Sequence, residues 1–291
     1  MFYQNPYIQL MRLDKPIGIW LLLIPCLWGV WIAPLIMVQP VSIIELLYKS
    51  VLFLIASTIM RSAGCVINDY FDRDFDKKVS RTLNRPLASG VIKPRNALIL
   101  FVILSLIGLC LLVQLPFITI MIGCFTFIPI VLYPLMKRLT YFPQLFLGLI
   151  YNSGIIMGFV SISCKFNADI LWLYACGVLI TLAYDTIYAF QDIQDDIKIG
   201  IKSSAIIWKH NPKLWIGLCY TLALINFGIF FCNIVIACIL LILAFIIGVK
   251  LYYWHITDIQ QALKLFKSNV YLLMCLWFLI LIFSYYLCNQ L

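Results

Sequence analysis

The sequence predicts an all-α, polytopic membrane protein of nine transmembrane helices, and three observations predict it. Hydrophobic residues make up 64% of the 291-residue chain and charged residues 11%, with a mean hydropathy of +1.02, whereas soluble domains run near half apolar and a quarter charged. Nine windows approach the ~20 apolar residues that a helix needs to cross a bilayer. Basic residues cluster before the first window and after every second one, as the two faces of a membrane require.

The elements follow in chain order. Residues 1–15 are polar to amphipathic, and the apolar run Ile17–Met37 is longer than a signal-peptide core of about 7–15 residues, so it reads as a retained first span. With no long Arg- and Ser-rich leader ahead of it, the expected location is a bacterial inner membrane. The spans fall at 17–37, 43–67, 97–115, 117–136, 143–162, 170–190, 214–231, 233–254 and 269–288, within a single domain of residues 1–291. Leu115-Pro116 and Cys232-Asn233 are the only breaks between spans three and four and between seven and eight, so both pairs are tight hairpins. A span, an acidic cluster and a basic loop recur four helices apart, which outlines two four-helix halves and a ninth helix.

Charge sets the expected orientation. Nineteen of the 21 basic residues fall on one face, and only Lys49 and Lys165 fall on the other. The N-terminus is therefore expected to be cytoplasmic, and the net charge of +9 reflects membrane topology rather than nucleic-acid binding. The 11 cysteines form no CxxC pair and read as small core residues. The two histidines, His210 and His255, lie in basic loops and offer no site for a transition metal.

Eight of the 12 acidic residues occupy two places: Asp69, Asp72, Asp74 and Asp76 after the second span, and Asp185, Asp192, Asp195 and Asp196 at the end of the sixth. On a helix, Asn68, Asp72, Asp76 and Asp69 project at about 0°, 40°, 80° and 100°, with Asp74 off the stripe. Asp185, Asp192 and Asp196 project within about 40° of one another. Stacked carboxylates repel unless a cation lies between them, and hard oxygens at this spacing suit Mg²⁺, held by a few carboxylates plus substrate phosphates. The expected ligands are Asn68, Asp69, Asp72, Asp76, Asp192 and Asp196, with Asp72 and Asp192 central to catalysis. Asp14, Asp74, Asp169 and Asp258 read as solvated caps. An even number of crossings returns both clusters to the cytoplasmic face, where they can meet around a diphosphate. Arg73, Lys77, Lys78, Arg81, Arg85, Lys198 and Lys202 are the candidate phosphate contacts.

The stretch Asn68–Gly90 (NDYFDRDFDKKVSRTLNRPLASG) resembles the NDxxDxxxD signature of the UbiA superfamily of intramembrane prenyltransferases, and Asp185–Ser203 (DTIYAFQDIQDDIKIGIKS) resembles its second, DxxxD motif. Arg12–Gly18 and Tyr133–Arg138 are further matches, so the likeness spans nearly the whole chain. The NRPLxSG loop and the KIGIKS run are most similar to members of the ubiquinone pathway that prenylate 4-hydroxybenzoate. The resemblance implies nine helices ringed around a central cavity open to lipid, two Mg²⁺ ions and a polyprenyl diphosphate donor.

The implied reaction loses diphosphate to leave an allylic cation, which the ring of 4-hydroxybenzoate attacks ortho to its hydroxyl. Water must be excluded meanwhile, and an aromatic face such as that of Tyr188 would steady the cation. Arg138 is the first choice to pair with the acceptor's carboxylate, and Arg12 and Arg61 are the alternatives. Asp185 is the candidate to orient or deprotonate the phenol. Two other readings remain open: a prenyltransferase with haem or a naphthoate as acceptor, and a cation-coupled transporter. Transporter sites usually lie near the bilayer midplane, whereas these clusters lie at span ends.

Overall fold

The computed structural model describes residues 5–288, and for 285–288, the last turn of the ninth span, the backbone alone. Twelve helices follow in order: α1 (Pro6–Leu10), α2 (Ile17–Met37), α3 (Ile43–Asp76), α4 (Pro94–Leu112), α5 (Phe117–Leu139), α6 (Pro143–Ser163), α7 (Ile170–Ala189), α8 (Ile193–Ile199), α9 (Ser204–Ile207), α10 (Pro212–Phe231), α11 (Ile234–Tyr253) and α12 (Ile259–Cys288). Nine of them, among the described residues, are long and apolar enough to cross a membrane, and they match the nine windows of the sequence in order. Two run past their apolar windows by more than two turns: α3 continues through the whole first acidic motif, and α12 begins ten residues before residue 269.

Close backbone approach and interhelical hydrogen bonds join the helices alongside a large apolar core that includes Trp28, Phe159, Tyr184 and Phe227. In lipid the tails are as apolar as leucine, so helices associate through small residues and interhelical hydrogen bonds. The α2–α6 contact shows this best. A Cβ on Gly29 would lie 2.0 Å from the Ile155 carbonyl oxygen, and one on Gly158 would lie 2.2 Å from that of Cys26. Buried Asn152 of α6 donates to Thr181 of α7 at 2.9 Å, Tyr220 of α10 donates to Asn269 of α12 at 2.8 Å, and Trp28 of α2 donates to the Leu273 carbonyl of α12 at 3.2 Å.

Against this core of α2, α6, α7, α10 and α12, helices α3, α4 and α5 close a cavity of about 670 Å³ whose inner side is lined by α2, α6 and α7. Helices α4 and α5 pack on α3 and α6 but touch each other little beyond their shared hairpin and a stacked pair, Phe101 and Phe127, whose ring centroids are 6.2 Å apart. The second acidic motif departs from its expected geometry. Helix α7 stops at Ala189, and a turn closed by Gln191 N–H to Tyr188 O and Asp192 N–H to Ala189 O, both 3.2 Å, precedes α8. The QDIQDD run explains the break, because aspartates compete with the backbone for hydrogen bonds and favour turns and helix starts over helix interiors. Asp185 and Asp192 therefore do not share one continuous helix.

Candidate active site

Helix α3 delivers the first motif and α7–α8 the second, and both meet at one end of the bundle. The contact between them is direct: Arg81, in the loop after α3, donates through Nε to both Asp192 oxygens at 2.8 and 3.1 Å and through Nη1 to Tyr188 Oη at 3.1 Å. Here lies a second, smaller cavity of about 200 Å³, lined by Asn68, Asp72, Asp76, Arg81, Arg85, Lys137, Asp192, Asp196 and Ser203 among others. Asn68, Arg85, Tyr133, Asp185 and Tyr188 line both cavities, so a long apolar chamber runs into a small, strongly charged one.

Asp69, Asp72, Asp76 and Asp192 each have a basic partner. Asp72 pairs with Lys137, and Arg85 bridges Asp69 at 3.1 Å and Asp76 at 2.9 Å. Arg12 donates to the two oxygens of Asp69 at 3.0 and 2.9 Å. Burial works against the charge on Arg85, but the Asp69 and Asp76 carboxylates outweigh it and hold its pKa above that of an ordinary arginine. Asp196 is placed differently: burial, reinforced by the neighbouring Asp192 carboxylate, pushes its carboxyl up to about 7.

Among the described residues no three His, Cys, Asp or Glu side chains are gathered to hold a metal by themselves. The residues nonetheless fit Mg²⁺. The donors are hard oxygens, Mg²⁺ normally completes its shell with water and substrate phosphate, and Asp72 Oδ1 is buried with no hydrogen-bond partner. Asn68, Asp72, Asp76, Asp192 and Asp196 would hold the ion, and the basic groups now facing them would turn to the phosphates.

The structure divides the expected phosphate contacts. Arg81, Arg85 and Lys202 line the small cavity. Arg73 and Lys77 instead pair with Asp74, at 3.8 and 3.4 Å, and Lys198 with Asp195 at 3.8 Å, all on the outer surface. Three residues were missed by reading the sequence: Lys137 against Asp72, and Gln144 and Ser203 on the cavity wall. The i,i+4 pair Tyr133 and Lys137 at the end of a span was the available signal, since α5 turns both toward the site.

The arginines sort as clearly. Arg138 is exposed, donates to the Phe71 carbonyl at 2.9 Å, lies over the Phe75 ring and lines neither cavity. Arg61 lines the large cavity, its Nε is buried without a partner, and among the described residues no carboxylate pairs with it. A Cβ on Gly18 would lie 2.3 Å from Arg61 Nε, so the glycine leaves the guanidinium its place.

Fold and site together define a helical membrane bundle in which a large apolar chamber opens into a small charged pocket. The chain belongs to the UbiA prenyltransferase family, which it matches over residues 22–279. It is similar to the mitochondrial 4-hydroxybenzoate polyprenyltransferase of Rattus norvegicus, at 45% identity over 215 residues, 73% of this chain and 56% of that one. It is 41% identical to the 4-hydroxybenzoate octaprenyltransferase of Coxiella burnetii over 223 residues, 77% of this chain and 75% of that one. The match thus takes in little more than half the length of the rat relative. Among solved structures, a UbiA homolog from Aeropyrum pernix K1 superposes with a TM-score of 0.72 at 22% identity, over 87% of this chain and 96% of that one. A homolog from Archaeoglobus fulgidus bound to GPP and Mg²⁺ gives 0.67 at 18% identity, over 95% and 99%. Both share the fold.

Proposed function

We propose that the chain transfers a polyprenyl group from polyprenyl diphosphate to the ring of 4-hydroxybenzoate, ortho to the hydroxyl, in ubiquinone biosynthesis. The observation that carries this reading is the junction of the two cavities at Asn68, Asp185 and Tyr188: the apolar chamber takes the tail, the charged pocket takes the diphosphate, and the bond to be broken lies where they meet. The names of the rat and Coxiella relatives support the acceptor, and the GPP and Mg²⁺ bound by the Archaeoglobus homolog support the donor and the ion.

The allylic C–O bond breaks and its electron pair leaves with the diphosphate. Bound Mg²⁺ would supply charge neutralisation to that leaving group. Lys137, Arg81 and Arg85 hold its oxygens once their carboxylate partners are engaged elsewhere. The face of Tyr188 steadies the allylic carbon, and the apolar chamber keeps water from quenching it. Arg61 takes the acceptor's carboxylate in place of Arg138, because it is the cavity-facing guanidinium without a partner. The ring carbon attacks, and its proton leaves toward Asp185, which lines both cavities.

The nineteen-to-two distribution of basic residues supports a cytoplasmic N-terminus and active site, and we place the chain in a bacterial inner membrane. Membranes containing the protein, supplied with Mg²⁺, a polyprenyl diphosphate and a panel of aromatic acceptors, test the reaction. A product with the mass of prenylated 4-hydroxybenzoate is expected. A product only with haem or a naphthoate would reassign the acceptor, and none with any acceptor would end the reading.

A further inference from the structure

We infer that Asp69, although it stands inside the acidic motif, is not a metal ligand but a positioning residue that sets the charge of the acceptor pocket. This rests on the reading above. The carboxylates divide between the cavities: Asp72, Asp76, Asp192 and Asp196 line the small charged one, whereas Asp69 lines only the large one, beside Arg12, Arg61 and Arg85. Its neighbours differ too. Asp72 has one oxygen paired with Lys137 and the other without a partner, open to an ion. Both oxygens of Asp69 are engaged, by Arg12 at 3.0 and 2.9 Å and by Arg85 at 3.1 Å, and the residue is 1% exposed.

Arg12 is held there against its backbone preference. It has φ +58°, left-handed and disfavoured for a residue with a Cβ, in the turn between α1 and α2. Leu10, two residues earlier, is fully buried among Ala63, Val66 and Leu87, so the N-terminal segment is packed against α3 and the loop that follows it. Asp69 ties that segment and the Arg85 loop to one point on α3. Three guanidiniums face this end of the chamber, two of them neutralised, and Arg61 alone is without a carboxylate partner among the described residues. One such cation in an apolar chamber accepts one carboxylate. A second anionic group on the acceptor would be buried with no partner and would be rejected for that reason.

The test measures binding, apart from turnover. Wild-type protein in nanodiscs is titrated with Mn²⁺ by electron paramagnetic resonance, and with 4-hydroxybenzoate and 4-hydroxyphthalate by calorimetry. Asp69→Asn should keep the Mn²⁺ affinity of wild type, while Asp72→Asn loses it. The same Asp69→Asn protein should discriminate roughly tenfold less against the dicarboxylate, because Arg12 loses its carboxylate partner while Arg85 keeps only Asp76. Arg12→Gln is the second variant: if Asp69 were a ligand, removing its arginine would raise Mn²⁺ affinity, and no change is expected. Loss of Mn²⁺ binding in Asp69→Asn, tighter Mn²⁺ binding in Arg12→Gln, or unchanged discrimination would each overturn the inference. A wild-type protein that bound neither Mn²⁺ nor the hydroxy acid would instead remove the proposed function beneath it.

Discussion

Arg81 Nε lies 2.8 Å from Asp192 Oδ1, so a guanidinium from the loop after the first acidic motif is the counter-ion of the second. The contact bridges two elements 111 residues apart in the chain and leaves Arg81 beside the place where a diphosphate would sit. Arg81→Ala should raise the KM for polyprenyl diphosphate roughly 10- to 100-fold, the worth of a charge-assisted hydrogen bond at about 1.5–3 kcal/mol, with little change in the KM for the aromatic acid. Steady-state kinetics with each substrate varied in turn checks the split.

Lys137 reaches Asp72 from α5 and is the best candidate to pass from carboxylate to phosphate. Lys137→Ala should weaken donor binding and lower kcat together, since the amine would meet charge that grows as the C–O bond breaks. Lys137→Arg should recover part of the binding but less of the rate. Equal losses in both variants would make the lysine a spacer for Asp72 alone.

Arg61→Ala should raise the KM for 4-hydroxybenzoate roughly 10- to 100-fold while Arg138→Ala leaves it nearly unchanged, because Arg61 faces the chamber and Arg138 faces outward. Gly18→Ala should act in the same direction as Arg61→Ala. A methyl group there would stand 2.3 Å from Arg61 Nε and would push the guanidinium aside.

Much of this was legible in the sequence because its causes are local. Span count follows from hydropathy, and the acidic stripe of Asn68, Asp72 and Asp76 follows from helical periodicity, since α3 continues unbroken through Asp76. The same local rule failed at Asp192, where it assumed a helix that the QDIQDD run breaks. Pairings between distant segments were beyond it. Arg12 and Asp69 are 57 positions apart and Lys137 and Asp72 are 65 apart, and no periodicity connects them. Arg138 and Lys137 are adjacent and both cationic, and only the packing of α5 turns one inward and the other out.

The positive-inside distribution predicts that the loops around Arg81 and Lys202 both face the cytoplasm. Single-cysteine variants in each loop, placed in a background without reactive cysteines and labelled from either side of sealed vesicles, check this. Modification of both from the cytoplasmic face is expected.

The central claim is that two acidic motifs serve one Mg²⁺-dependent transfer, and it is tested most directly by product formation in Asp72→Ala and Asp192→Ala. Each removes a proposed ligand from a different motif without touching the apolar surfaces that seat the helices in the membrane. With purified protein, Mg²⁺, polyprenyl diphosphate and 4-hydroxybenzoate, quantified by mass, each variant should form at least about 10²-fold less product than wild type, at undiminished membrane content. Near-wild-type product from either variant would contradict the account.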